Sequence, residues 1–212
     1  MTAPRQNIFK AEGFTCIRGG RTLFSGLSFS VQPSKALIIK GANGSGKTSL
    51  LRVLAGLLPT EEGTVLWRGE EGEPSKILND EIHYLGHSDA LKPYLTVQEN
   101  LRIWGGLYGG EIKLDSAAKK TGVFPLLGIP VKFLSEGQKK RVNLARFLTT
   151  PKSIWLMDEP AAGLDQEGRT LLAGLIRDQL GANGIVIVST HQELGIKGAK
   201  TLTLGIKKRA AA

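Results

Sequence analysis

The 212-residue sequence has one cysteine, Cys16, so no internal disulfide can form, and a lone thiol reads as a small buried side chain rather than a reactive group. Long hydrophobic runs are missing too. The most apolar stretches, "IWLM" and "GIVIV", are far shorter than the roughly 18 residues of a bilayer span, and "MTAPRQNIFK" has no apolar centre of a signal peptide. A cytoplasmic chain is expected. Low-complexity tracts and internal repeats are also lacking. Acidic residues are the scarcer charge: 19 Asp+Glu against 28 Lys+Arg gives +9, which favours an anionic partner without choosing among nucleic acid, nucleotide and the inner leaflet of a membrane. The most basic short run is the tail "GIKKRAAA", expected to be a solvated terminus. What remains, 41% hydrophobic and 22% charged, suits one globular domain or a core with an inserted subdomain.

Apolar runs supply the plan. "ALIIKG" (Ala36 to Gly41) followed by "KTSLLRVLAGLL" reads as strand, turn and helix, and "KSIWLMDEP" and "GIVIVST" are further buried strands next to helical patterns such as "QEGRTLLAGLIRDQLG". Buried strands alternating with helices predict an α/β fold with a mainly parallel sheet. The first thirty-five residues differ. "IFKAEGFTCI" and "LSFSVQ", joined by "RGGRT", predict an antiparallel β layer at the N-terminus. From about 89 to 147 the strand signal gives way to helical segments, "TVQENLRIWGGLY" and "EGQKKRVNLARFL", read as a helical insertion into a core of residues 1–88 and 148–212. The whole chain is thus expected to be one domain.

"GANGSGKT" (Gly41, Ala42, Asn43, Gly44, Ser45, Gly46, Lys47, Thr48, with Ser49 next) matches the phosphate-loop pattern with a strand before and a helix after it. Glycines let successive N–H groups turn toward a phosphate, Lys47 adds positive charge and the Thr48 hydroxyl is offered to Mg²⁺. A carboxylate for the metal is expected at the end of a neighbouring buried strand, and Asp158 in "IWLMDEP" supplies it. Glu159, one residue on, can face the terminal phosphate and orient or deprotonate the attacking water. His191 ends "STH" after a third strand, at the same sheet edge. Nucleotide hydrolysis is the chemistry these residues point to.

"LSEGQKKR" (Leu134 to Arg141) reads as a helix start in which Ser135 and Gln138 form a capping box. Gly137 is odd there, costing about 1 kcal/mol against alanine. The phosphate loop, "LSEGQ", "IWLMDEP", "AGLD" (Ala162 to Asp165) and His191, in that order, resemble the nucleotide-binding subunit of an ABC transporter over nearly the whole chain. The resemblance implies a nucleotide-binding core, an antiparallel β subdomain and an inserted helical subdomain, with ATP and Mg²⁺ bound. It also implies a head-to-tail pair of copies, in which Ser135, Gly137 and Gln138 of one meet the γ-phosphate held by the other and Asp165 lies at the same interface. The partner would be a multispanning permease, the place the cytoplasmic face of the inner membrane, and no nucleic acid would be involved.

Three positions depart from the commonest family pattern. Glu136 replaces the first signature glycine. His87, in "YLGHSDALKPYLT", stands where most members have a glutamine; imidazole is a poor Mg²⁺ ligand and is expected to position water or sense phosphate. Arg18, in "CIRGGRTLF", aligns with the aromatic residue that usually stacks on adenine, a role a guanidinium plane can fill. "LFSGLSF", "YLGH" and "IPV" ahead of the signature look most like the ATP-binding subunit of the haem exporter of cytochrome c maturation. Three alternatives are the ATPase subunit of another small ABC exporter, a soluble ABC ATPase acting on nucleic acid and a nucleotide-gated adaptor without hydrolysis. Intact Glu159 and His191 argue against the adaptor.

Overall fold

Strand β3 (Ala36–Gly41) is apolar on both faces, with Leu37 and Ile39 in one core and Ala36 in another. Such a strand belongs inside a sheet covered on both sides. In the computed structural model, which describes residues 8–78, 80–87, 90–109 and 112–205, it does. With β6 (Ile82–Leu85), β7 (Ile154–Asp158), β8 (Ile185–Ser189) and β9 (Lys200–Leu204) it forms a five-stranded sheet of order β6-β7-β8-β3-β9, parallel at every pairing. The basic run after Gly205 lies outside the described residues.

The N-terminal strands β1 (Phe9–Arg18) and β2 (Arg21–Val31) pair antiparallel through Gly19 and Gly20, both at positive φ as the twist of a tight hairpin demands. They join β4 (Glu62–Trp67) and β5 (Glu70–Gly72) in a second sheet of order β2-β1-β4-β5. Helix α1 (Lys47–Leu54) runs in the core between the sheets, where Leu50, Leu51, Val53 and Leu54 meet Phe9, Phe14 and Trp67. On the opposite face of the parallel sheet, α6 (Gln166–Gly181) buries Leu172, Leu175 and Ile176 against Val186 and Val188. The α/β class and the antiparallel layer expected from the sequence are both observed.

After the short α2 (Pro74–Ile77) and β6, the chain forms α3 (Val97–Tyr108), α4 (Leu114–Lys120) and α5 (Glu136–Thr149) around a third core containing Val97, Leu101, Ala118, Val131 and Val142. Helix α5 begins with the expected capping box: Gln138 N donates to Ser135 Oγ (3.2 Å) and Ser135 N to Gln138 Oε1 (2.9 Å). A second box opens α3, where Glu99 N donates to Thr96 Oγ1 (3.2 Å) and Thr96 N to Glu99 Oε2 (2.7 Å).

Polar contacts clasp this layer to the core. Lys140 Nζ donates to Ala162 O, Arg141 pairs with Glu167 (2.9 Å) and Lys120 with Asp178 (2.6 Å). Phe147 of α5 reaches Trp155 of β7 edge-on, at 5.1 Å between ring centres.

Candidate functional site

All strands of the larger sheet run the same way, so the turns after β3, β6, β7 and β8 collect along one edge, where α/β proteins bind ligands. The turn after β3 is the phosphate loop. At Gly41 a Cβ would come within 2.5 Å of Ser45 Oγ and 2.6 Å of Leu204 O, so no larger residue fits. Gly46, left-handed at φ 99, is the N-cap of α1, and no side chain caps the helix there. Its first N–H groups are left for an anion. Lys47 is 9% exposed, with Nζ donating to Gly41 O (2.8 Å) and Ala42 O (3.3 Å) across the loop.

Thr48 Oγ1 donates to Asp158 Oδ2 at 2.7 Å. The register that pairs Asp158 with Ser189 across β7 and β8 lets Ser189 Oγ donate to Asp158 Oδ1 at 2.5 Å, which fixes the carboxylate plane. A hydroxyl and a carboxylate meeting at the phosphate loop are two hard oxygen donors, the small protein contribution that Mg²⁺ takes when phosphates and water complete its octahedron. The residues fit that ion.

Glu159 has φ 49, a left-handed backbone uncommon outside glycine and costing on the order of 1–2 kcal/mol. Its N–H donates to Ser189 O (3.0 Å) and its carbonyl accepts from Ala162 N (3.1 Å), which holds the turn. His191 N donates to Glu159 Oε2 at 3.4 Å and His191 Nε2 lies 3.7 Å from Oε1. Glu159 Oε1 is buried without a hydrogen-bond partner. The turn thus holds the Glu159 carboxylate against His191. Glu159 and His191 line one cleft of about 520 Å³ with Asn43, Gly44, Gly46, Lys47, Thr48, Ser49, Asp158 and His87. A larger depression, about 670 Å³, shares only His191 with it.

Arg18 is not brought to this cleft. It sits exposed at the end of β1, paired across the hairpin with Arg21, and Leu23 of β2 forms the wall there. Ser135, Gly137, Gln138 and Asp165 line a separate depression of about 340 Å³ that shares no residue with the phosphate-loop cleft. Asp165 is the N-cap of α6, its Oδ1 accepting from Gly168 N at 2.7 Å. A Cβ on Gly137 would meet nothing within 4 Å.

Sequence reasoning missed Ser189, Lys140 and His83. The first two lie beside motifs it did find, and strand alignment or helical spacing could have flagged them. His83 has no such signal: fully buried on β6, it donates from Nε2 to Thr150 O (2.6 Å) and stands edge-on to Tyr108, 4.2 Å between ring centres. Its Nδ1 is buried without a partner, and burial pushes its pKa down to about 3, helped by Lys152 and Arg146 against the Thr150 hydrogen bond.

A family model described as ABC transporter matches residues 24–162. The cytochrome c biogenesis ATP-binding export protein CcmA of Paramagnetospirillum magneticum is 44% identical over 204 residues, 93% of this chain and 94% of the relative. Its counterpart in Bradyrhizobium diazoefficiens is 46% identical over 183 residues, 85% of this chain and 90% of the relative. Among solved structures, an ATP-binding subunit of an ABC transporter superposes with a TM-score of 0.83 at 19% identity, covering 95% of this chain and 88% of that one. A nucleotide-free ATP-binding cassette from an ABC transporter gives 0.77 at 24% identity, covering 93% and 87%. The structural likenesses speak for the fold, the sequence relatives for more: the chain belongs to the ABC transporter family, on the branch of the cytochrome c biogenesis ATP-binding export proteins.

Proposed function

We propose that this chain, 1–212 as one unit with its helical insertion at about 89–147, is the ATP-hydrolysing subunit of a membrane export complex, the haem exporter of cytochrome c biogenesis. Two copies act head to tail, each nucleotide lying between the phosphate loop of one and the signature of the other. One observation carries the two-copy reading: the signature residues and the phosphate loop line clefts with no residue in common, so a single chain holds two incomplete sites. Gly137 supports it, since its missing side chain relieves no contact within the chain and suits close approach from outside.

The loop from Gly41 to Ser49 binds the phosphates, with Lys47 supplying charge that backbone dipoles alone do not. Mg²⁺, held by Thr48 and by Asp158 partly through water, would neutralise phosphate charge. Glu159 orients the attacking water through its carboxylate and takes its proton; His191 fixes that carboxylate and reaches toward the γ-phosphate, and His87 faces the same space from the end of β6. Ser135, Gly137 and Gln138 present the capped end of α5 to the partner's γ-phosphate, and Asp165 lies beside them.

No helix among the described residues is long and apolar enough to cross a membrane, so attachment is through the permease, at the cytoplasmic face of the inner membrane. An aromatic cleft of about 560 Å³ with Leu57, Trp104 and Tyr108 in its walls, and exposed Ile103 and Leu107 beside them on α3, supports an apolar partner.

The test is complementation. Ser135→Arg is expected to keep ATP binding by the isolated chain but lose hydrolysis, Lys47→Ala to lose both, and their mixture to recover part of the activity from one complete site per pair. Glu159→Gln is expected to bind ATP with turnover down at least about 10²-fold. A mixture no more active than its components sinks the two-copy reading, and wild-type turnover in Glu159→Gln removes that residue from the mechanism.

A further inference from the structure

No Phe, Tyr or Trp is among the described residues that line the phosphate-loop cleft; its rings are the imidazoles of His87 and His191, which face the terminal-phosphate end, while Leu23 is the wall on the side of β2 and Arg18 stays out in solvent. A nucleotide base bound there meets no large aromatic ring among those lining residues. Two rings stand exposed beside the other half-site instead. Phe133, immediately before Leu134 and Ser135, is 69% exposed and Tyr94 is 78% exposed. Lys132 Nζ lies between them, 4.8 Å from the Phe133 ring centre and 5.0 Å from that of Tyr94.

The helical layer does not use these rings, its core being filled by residues such as Val97, Leu101 and Val142. Nor is the segment loosely held. Lys132 N donates to Pro93 O (2.8 Å), Val131 N to Leu95 O (3.0 Å) and Phe133 N to Pro130 O (3.0 Å), and buried Asn100 ties down the same loop by donating to Lys92 O and Thr96 O. An exposed phenyl ring on a fixed backbone, with a cation on one side and nothing covering it, is a stacking platform. Its reach is suitable: two residues of chain, about 7 Å, plus the ring separate it from the Ser135 hydroxyl, comparable with the distance from a γ-phosphate past the ribose to the base.

We propose that Phe133 of one copy stacks on the adenine of the nucleotide whose phosphates the other copy holds, with Lys132 and Tyr94 fixing the ring. Phe133 is then the base-recognition residue of the composite site, supplied from across the interface. This rests on the two-copy reading above. It also gives the exposed ring its reason, since Phe133 loses its exposure when the nucleotide-bound pair forms.

The test measures ATPase kinetics on full-length chains with ATP and CTP. Phe133→Ala is expected to raise KM for ATP about tenfold with little change in kcat, and to raise KM for the smaller base of CTP less. Phe133→Trp should restore the ATP value. In the one-site mixture, Phe133→Ala is expected to raise KM when carried by the Lys47→Ala chain, which supplies the sound signature. A rise only when it is carried by the Ser135→Arg chain locates the effect in cis and overturns the proposal. ATP-driven pairing of Glu159→Gln copies, followed by gel filtration, separates the two readings. Pairing together with an unchanged KM for Phe133→Ala overturns stacking alone, whereas absence of pairing at saturating ATP overturns the two-copy reading and stacking with it.

Discussion

Gly137 is the residue where stability and function pull apart most clearly. It occupies the first turn of α5, a place where alanine is better by about 1 kcal/mol, and the protein around it offers a methyl group open space. On the two-copy reading, Gly137→Ala is therefore expected to raise the melting temperature of the isolated chain by a few degrees while lowering ATPase activity at least about tenfold, because the added methyl would meet the partner's phosphate. Scanning calorimetry and a turnover assay on one preparation check both halves; a variant that is more stable and fully active removes the close approach. The residues of the phosphate loop, with Asp158, Glu159 and His191, were legible in the sequence because each follows directly on a buried strand, and the parallel sheet brings strand ends together. Arg18 was not. Alignment gives a position along β1, but whether a side chain turns into the cleft depends on a hairpin whose tip stands in solvent, and the wall came from Leu23 on the next strand.

At the scale of elements, β6 carries a titratable group in a dry place. His83 is neutral in the folded protein with its pKa near 3, whereas an unfolded histidine titrates near 6.5. A depressed histidine pKa means that the unfolded chain binds the proton first. Stability is complete above about pH 6.5 and declines as pH falls toward 3, by up to about 1.4 kcal/mol per pH unit from this group. The melting temperature of the wild type should drop between pH 7.5 and 5 more steeply than that of His83→Gln, which keeps a donor for Thr150 O without an ionising ring. Parallel profiles would clear His83 of the effect. Nothing in "EIHYL" announces this, because the carbonyl that accepts the hydrogen bond from His83 Nε2 is 67 residues away in the chain. Helix α4 was likewise invisible: seven residues give too short a periodic pattern, and it is held by packing Leu114 and Ala118 against the neighbouring helices. The box that starts α3 could have been read from Thr96 and Glu99, by the spacing that revealed the one at Ser135.

For the whole molecule, the proposed two incomplete sites per chain would make activity depend on encounter between chains. Specific ATPase activity of the isolated subunit is expected to rise with its own concentration, and to become independent of it once the pair is saturated or the permease holds two copies together. Constant specific activity over about a hundredfold dilution, measured after equilibration, would mean a monomer completes its own site. The α/β architecture was legible because three kinds of order stand in the sequence: two β runs joined by a turn at the start, continuous apolar strands in the core and helical spacing between them. The contacts joining these layers were not readable, since they link residues far apart in sequence through single side chains.

One such join is the clasp of Lys140 on Ala162 and Arg141 on Glu167, which ties the signature helix to the loop that leads from Glu159 to Asp165 and to the first turn of α6 behind it. The helix proposed to serve a neighbour's nucleotide is thereby fastened to the turn that carries Glu159, the proposed water-activating carboxylate of the same chain. In genetic terms, two different defects can cover for each other while one defect shared by both copies cannot. Beside an equal amount of sound chain, a variant damaged at one half-site leaves about a quarter of randomly formed pairs with two complete sites and about half with one.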